Sequence, residues 1–281
     1  MNDINNKIEY IDSDNMESMY SSWYSGRGTG GFHDVQEKWL KLCAVYKAKN
    51  IASQFAPSSS SKILDVGGGT GEVSEALYNC HQFPKIDLID ISSDAIDFAA
   101  GKEFINTAKV FNGYAIDVPD KYYDLVFASH VLEHVPDQRK FLSELKRVAK
   151  NIFIEVPIDY SKNINTELLL SYGHVNVYTP SIVKFYIESE GMVVKKYFGT
   201  NWPRKYSIKF YNNYYNFNKK NILDLIEFNL RFIISRVFNS INPYKLPSNF
   251  CLYCSENYQF KIVNLFEIQK NEYKNHLLES N

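Results

Sequence analysis

Long hydrophobic runs are missing from this chain. No uninterrupted apolar stretch approaches the roughly 20 residues a bilayer-spanning helix needs. The opening MNDINNKIEYIDSDNMESM has neither a basic start followed by an apolar run nor a small-residue cleavage site, so a soluble, cytoplasmic protein is expected. Cysteine is scarce as well: Cys43, Cys80, Cys251 and Cys254 are too scattered for a disulfide framework, and cytosolic thiols are the expectation. Cys251 and Cys254 form a C-x-x-C, but a tetrahedral zinc site needs further ligands and no second close pair exists. The plain reading is two strand residues in FCLYCSE. Nor is there an excess of either charge. With 31 Lys and Arg against 32 Asp and Glu, the summed field offers no strong attraction to nucleic acid or to an anionic bilayer.

What is present is length and periodicity. The 281 residues are enough for a large core that needs no disulfides. From about Lys62 to Thr200, strand and helix patterns alternate. KILDV reads as a first strand, followed by a helix from Glu72 with Val73, Ala76, Leu77 and Cys80 on one face. KIDLIDI is the next strand in that pattern, closed by Ser92 or Ser93 as the N-cap of a helix that stops near Gly101. YDLVFAS is another strand, and the helix after it carries the stripe Phe141, Leu142, Leu145, Val148 and Ala149. NIFIEVP follows directly. Thr179 and Pro180 read as N-cap and first helical position, Gly191 as the stop, and MVVKKYF as a strand. Strands apolar on both faces and separated by helices imply a parallel sheet covered on both sides, a doubly wound α/β domain.

Residues 1–60 stand outside this series as a cap or lid. They predict a helix starting at Asp34, with Glu37 completing a capping box and Trp39, Leu42, Cys43 and Tyr46 facing inward. SSSS at 58–61 looks like the joint to the 61–200 core. A second glycine cluster, SGRGTGGFH at 25–33, precedes any strand and so lacks the context of a nucleotide loop; a segment closing over the site is expected, with Arg27, His33, Trp23 and Tyr24 near the substrate. Residues 201–247 form an insertion with Leu223, Ile226, Leu230, Ile233 and Val237 in line on a helix and Leu225, Phe228 and Phe232 on another of its faces. So wide an apolar surface calls for cover by the core and by a lid or a second subunit, a homodimer through this helix. Residues 248–281 then supply a last strand and a tail.

The stretch KILDVGGGTGEVSEAL raises the question of what its loop holds. Glycine-rich turns between strand and helix usually seat a phosphate. Here the spacing is Gly67-x-Gly69-x-Gly71, and no Lys-Ser or Lys-Thr pair follows, which excludes a P-loop. Asp65 and Glu72 flank the loop, and two carboxylates beside a pyrophosphate would repel it by about 1 to 4 kcal/mol per close pair. The same carboxylates attract a cation. S-adenosylmethionine, with an ammonium, a sulfonium and one small carboxylate for the helix N-terminus, suits the loop better than a dinucleotide. Asp90, about twenty residues on, ends a strand where a carboxylate can accept from both ribose hydroxyls. That geometry also serves NAD, so the loop and the acid leave an NAD-dependent oxidoreductase open as the rival reading.

In sequence the chain resembles the class I S-adenosylmethionine-dependent methyltransferases, in the branch of ubiquinone-pathway and sugar O-methyltransferases. ILDVGGGTGEVS is similar to the family's first motif, LIDIS to its ribose-binding acid and YYDLVFASHVLEHVPD to its fourth-strand motif. FLSELKRVAKNIFIEVP and GHVNVYTPSIVKFYIESEGMVVKKYF follow in order, so the likeness covers residues 62–198. It implies a mainly parallel seven-stranded sheet with a helical cap and a helical insertion before the last strand. It also implies that Asp65, Gly67, Gly69 and Gly71 line the methionine end, that Asp90 binds ribose, that Ile91 packs on adenine, and that Ser129 and His130 close the loop after the fourth strand. One departure stands out: where many relatives carry Gly-Asp-Ala after the third strand, this chain reads NGYAID. Either Tyr114 lies against the adenine or Asp117 takes the acid's role.

Methyl transfer from a sulfonium needs alignment and, for a hydroxyl acceptor, removal of a proton. His134 and His174 are the candidate bases, with Glu133 beside them as an acid; His130 shares the loop. The same groups could instead supply two ligands for a metal that polarises a diol, although no metal ligand set is assigned. The bland readings are a loop-holding His134, a solvated or helix-terminal Glu133, and an Asp124 that does structural work at its strand start. The fourth-strand loop reads ASHV in place of the Asn-Pro-Pro-Tyr or Asp-Pro-Pro-Tyr of enzymes that methylate bases or glutamine. A small-molecule acceptor is therefore expected, most simply a hydroxyl on a sugar, a glycan precursor or a phenol. A small amine, or a cofactor-binding protein without catalysis, are the alternatives.

Overall fold

Strand β1 (Ile63–Val66) is buried at all four positions because helices cover both faces of the sheet it centres. In the computed structural model the described residues are 32–159, 166–201 and 249–255, with Ser18, Tyr24 and Leu230 besides. The other strands are β2 (Ile86–Asp90), β3 (Ile105–Val110), β4 (Leu125–Ser129), β5 (Asn151–Pro157), β6 (Val193–Thr200) and β7 (Asn249–Ser255). They lie in the order β3-β2-β1-β4-β5-β7-β6. β1 to β5 run parallel, and β7 is antiparallel to both β5 and β6. The order reverses between β1 and β4, and in such sheets a ligand crevice opens at that point, outside the carboxyl ends of the strands.

The helices are α1 (Phe32–Ala52), α2 (Glu72–His81), α3 (Ser93–Ala99), α4 (Gln138–Val148), α5 (Thr166–Ser171) and α6 (Pro180–Ser189), with a 3-10 turn at Leu132–His134. On one face, Ile63, Leu125, Phe127 and Phe153 pack with Ala44, Ala48 and Ile51 of α1 and with Leu77 of α2. On the other, Leu64, Val126, Ile152 and Ile154 pack with Phe141, Leu142, Leu145 and Val148 of α4 and with Val183 and Ile187 of α6. Cys251 belongs to the first layer and Cys254 to the second. Three residues apart on a strand, they point to opposite faces and cannot share an ion.

Most element boundaries follow the sequence pattern. Ser92 caps α3 by accepting from the Ala95 N–H at 3.2 Å, and Thr179 caps α6 with Pro180 behind it. Asp124 is a fastener, accepting from the Lys62 backbone N–H at 2.9 Å and from Lys150 Nζ at 2.8 Å. Two expectations need correcting. α1 begins at Phe32, and its fully buried face is Cys43, Ala44, Ala48 and Ile51, with Trp39, Leu42 and Tyr46 only half-buried; two alanines on that face let α1 lie close against its neighbours. Cys80 is exposed, because it falls in the last turn of α2, beside the equally exposed Asn79.

α1 shares a single hydrophobic cluster with the core, and Ser58 to Ser61 form a tight turn in which the Ser58 N–H donates to Ser61 Oγ at 2.9 Å. The expected 201–247 helix and the dimer through it lie outside the described residues, as does the 25–31 glycine cluster. No helix among the described residues is long and apolar enough to cross a membrane.

Candidate active site

The loop after β1 is drawn onto the end of β2 by backbone hydrogen bonds. Gly67 and Gly68 N–H both donate to the Ile89 carbonyl, at 2.8 and 3.3 Å. Asp90 receives the Gly69 N–H on Oδ2 at 2.8 Å and the Ser92 N–H on Oδ1 at 2.9 Å. Gly67 has φ +67°, and a Cβ there would meet Val131 Cγ2 at 2.6 Å; one on Gly69, φ +54°, would meet the Tyr24 hydroxyl at 2.6 Å. Gly67 has neither the room nor the φ for a side chain, and the φ of Gly69 disfavours one, so the cradle presents backbone at both positions. Gly71 is the N-cap of α2 and no side chain caps that helix, which leaves a helix N-terminus at the cradle for a small carboxylate.

Asp65 lies beneath this loop. It is 3% exposed, accepts from Ser74 Oγ at 2.7 Å, and its Cγ would sit 2.7 Å from a Cβ on Gly68. Burial pushes its carboxyl up to about 7, against the opposing Ser74 hydrogen bond. Burial likewise raises Asp90, while the Ser92, Gly69 and Ile91 N–H groups pull it back.

Val131 joins the cradle to a second polar group. Two residues beyond it, in the 3-10 turn, the Glu133 carboxyl is 1% exposed and neither oxygen is hydrogen-bonded. The reading of Glu133 as a solvated carboxylate is thereby overturned. His130 Nδ1 stands 3.5 Å from Glu133 Oε1, and His134 Nε2 3.7 Å from the same atom. The His134 ring meets the His174 ring edge-on, centroids 4.8 Å apart.

His134 Nδ1 lies 2.9 Å from the Gly173 carbonyl oxygen. A carbonyl only accepts, so Nδ1 carries the hydrogen and the lone pair is on Nε2, facing Glu133. The turn and the 173–178 loop are locked together. Val175 and Asn176 N–H donate to the Glu133 carbonyl at 2.9 and 3.0 Å, and Asn176 Nδ2 to the Val135 carbonyl at 2.7 Å. Burial, the largest cause throughout, pushes Glu133 up to about 8, His134 down to about 4, His130 well below its ordinary value, and His174 downward. The cluster is therefore neutral: Glu133 keeps its proton and the imidazoles lack theirs.

Residues 33–188, more than half of the chain, match the model of a family described as a methyltransferase domain. The chain belongs to that family. Its fold is that of the class I S-adenosylmethionine-dependent methyltransferases, and the backbone-lined cradle with Asp90 fits S-adenosylmethionine as the cofactor. The chain is 28% identical over 138 residues to a protein named as a probable chloroplastic tocopherol O-methyltransferase of Oryza sativa subsp. japonica, covering 47% of this chain and 38% of that one. It is 25% identical over 151 residues to a ubiquinone/menaquinone biosynthesis C-methyltransferase of Cupriavidus taiwanensis, covering 49% and 62%. The match thus spans between about a third and two thirds of these relatives. Among solved structures, a putative sarcosine dimethylglycine methyltransferase from Galdieria sulphuraria superposes with a TM-score of 0.54 at 17% identity, covering 76% of this chain and 84% of that one. An Archaeoglobus fulgidus S-adenosylmethionine-dependent methyltransferase gives 0.52 at 20%, covering 77% and 94%.

Within this methyltransferase domain the remaining expected residues divide. Ile91 follows Asp90 at the crevice and is half-buried. Ser129, the last residue of β4, donates from Oγ to Glu155 Oε2 at 2.8 Å, and the N–H of His130, which opens the following loop, donates to the Glu155 carbonyl at 2.8 Å. Tyr114 is drawn to the start of α4: its hydroxyl accepts from the Asp137 N–H at 3.1 Å and Lys140 Nζ lies 4.7 Å over its ring. Asp117 is exposed.

Two residues of the site escaped the sequence reading, and a third was given a different place. Glu155, wholly buried on β5, holds Ser129, and burial raises its carboxyl. Lys47 of α1 brings its ammonium close enough to act on Asp65, Glu133 and Glu155, favouring their ionised forms. Tyr24 was named only as a substrate contact, whereas its hydroxyl lies over Gly69. A charged residue inside the apolar run IFIEVP was the available signal for Glu155; for Lys47 no local signal exists.

Proposed function

We propose that this chain methylates a hydroxyl group of a small molecule, with S-adenosylmethionine as methyl donor. The supporting observation is the buried Glu133 carboxyl among His130, His134 and His174, two residues from the Val131 side chain that rests on the glycine cradle. A polar group of this kind has no work in the cradle itself. Through Val131 it adjoins the cradle, beside which an acceptor must lie for in-line attack.

The bound donor supplies an activated methyl group. The chain's residues do the rest: Gly67, Gly69 and Gly71 let backbone N–H groups approach the methionine end, and Asp90 takes the ribose. Glu133, His134 and His174 orient the acceptor oxygen and assist loss of its proton. As the oxygen–methyl bond forms, the methyl–sulfur bond breaks and the proton leaves to solvent. Positioning supplies several kcal/mol of the barrier, and assistance to proton loss roughly 100- to 10,000-fold. A net charge near zero and the ASHV loop favour a small acceptor over nucleic acid.

The test is isothermal titration with S-adenosylhomocysteine, with NADH in parallel, followed by a screen of phenols and sugars for methylated product. Micromolar binding of the first ligand, lost in Asp90→Ala, is expected. Tight binding retained by Asp90→Ala overturns the assignment, and products methylated at carbon or nitrogen overturn the hydroxyl acceptor.

A further inference from the structure

The Glu133 cluster has a defect that hydrogen bonding does not repair. A carboxyl with 1% exposure and two unbonded oxygens is costly, since each buried unsatisfied polar atom forfeits its hydration without recompense. The groups nearest to it are nitrogen bases. His134 turns its lone-pair nitrogen toward the carboxyl, because its N–H is committed to the Gly173 carbonyl. His174 lies against His134, and one ligand atom from each of Glu133, His134 and His174 falls within 4.8 Å of the others. An unbonded buried carboxyl converging with two imidazoles is an arrangement that a cation resolves, taking the place of the Glu133 proton.

We infer that Glu133, His134 and His174 bind one divalent transition-metal ion, which takes the oxygen of the acceptor in an open coordination position. Two imidazoles and a carboxylate form a mixed nitrogen and oxygen set, which suits zinc, iron, cobalt or manganese better than calcium or magnesium, whose sites are built from oxygen. A ring N–H held by a backbone carbonyl is also the arrangement that fixes the orientation of a metal-binding histidine. The backbone supports it further, because the Val175 and Asn176 N–H groups both grip the Glu133 carbonyl and so hold the His174 loop onto the turn that carries Glu133 and His134.

Ligand atoms bound at about 2.1 Å lie roughly 3 Å apart, so the three must draw together on binding. His174 has room to do this. It is half-buried, and among the described residues its ring lies against the rings of His134 and Tyr172. Three protein ligands leave open positions, and an acceptor hydroxyl bound there becomes more acidic and is oriented at the same time.

This inference deepens the proposed methyl transfer and rests on it for the role of the ion, though not for its binding. The test uses full-length protein, freed of any histidine tag and stripped with EDTA, titrated with Co²⁺, Mn²⁺ or Zn²⁺ by calorimetry; visible absorption follows the Co²⁺ complex. One equivalent binding at micromolar strength is expected, weakened about 100-fold or more in Glu133→Gln and in His174→Ala. S-adenosylhomocysteine affinity in both variants should stay within a few-fold of the parent, which certifies the fold; His174→Gln is the substitute if His174→Ala fails that check. Failure of all three ions to bind the parent, or equal binding by parent and variants, overturns the metal site. Metal binding without S-adenosylhomocysteine binding leaves the site standing and overturns the methyl-transfer reading alone.

Discussion

Val131 rests on Gly67 so closely that a Cβ on the glycine would come within 2.6 Å of Val131 Cγ2 and 3.0 Å of Cγ1. The cofactor cradle and the Glu133 turn are thus in direct contact. Gly67→Ala introduces both this collision and an unfavourable φ of +67°. The φ alone costs about 1 to 2 kcal/mol, and S-adenosylhomocysteine affinity should fall at least tenfold on titration. Adding Val131→Ala removes the two methyl contacts but leaves the backbone penalty. The double variant should therefore recover part of the lost stability and affinity, a coupling that strict additivity of the two single changes in urea melts would disprove.

Arg147 holds the loop after β3 from beneath. Its guanidinium donates to the Ile116 and Val118 carbonyls, both at 2.8 Å, and to the Asp120 and Glu144 carboxylates. Losing the two backbone bonds in Arg147→Met should cost about 2 kcal/mol, at roughly 1 kcal/mol each. The loop carries Tyr114 and Asp117, so cofactor affinity should weaken along with thermal stability. An unchanged affinity in calorimetry would mean that this loop takes no part in seating the adenine.

How much of this was legible in the chain depends on how far apart the interacting residues lie. The cradle was, because Gly67, Gly69, Gly71 and Asp90 follow one another at fixed offsets and their spacing is the constraint. The parallel order of the strands was likewise implied by runs apolar on both faces. The state of Glu133 was not. In HVLEHVPD no local signal separates it from a surface carboxylate, and the 173–178 loop that clamps onto its backbone through Val175 and Asn176 lies forty residues downstream. Lys47 escaped notice for the same reason: on α1 it is one lysine among several, and only the folded layer sets it against Glu155 and Asp65.

Asp65 gives the fold a pH dependence of known sign. Its carboxyl keeps the proton to about pH 7 when folded and releases it near pH 4 when unfolded. Between these values the folded state binds more protons. The contribution is therefore full below about pH 4 and is lost as pH rises through 7, with a slope of up to about 1.4 kcal/mol per unit. Asp65→Asn keeps an acceptor for Ser74 and removes the titration. Urea melts at pH 5, 6 and 7 should show a flatter profile for the variant, and parallel profiles would contradict this account.

Lys47 acts on the same balance from the opposite direction. Its ammonium lowers the carboxyls of Asp65 and Glu155, so its loss in Lys47→Met lets both rise further. Lifting an already raised folded value costs nothing while the folded carboxyl is protonated in parent and variant alike, and costs most above the pH at which the parent's folded carboxyl ionises. The stability deficit of Lys47→Met relative to the parent should therefore be small at pH 5 and grow through pH 7 to pH 9. Lys47→Arg, which keeps the charge, should follow the parent. A deficit of equal size at every pH would reduce Lys47 to the packing of its aliphatic stem against the sheet, and would leave Glu155 without its counter-charge.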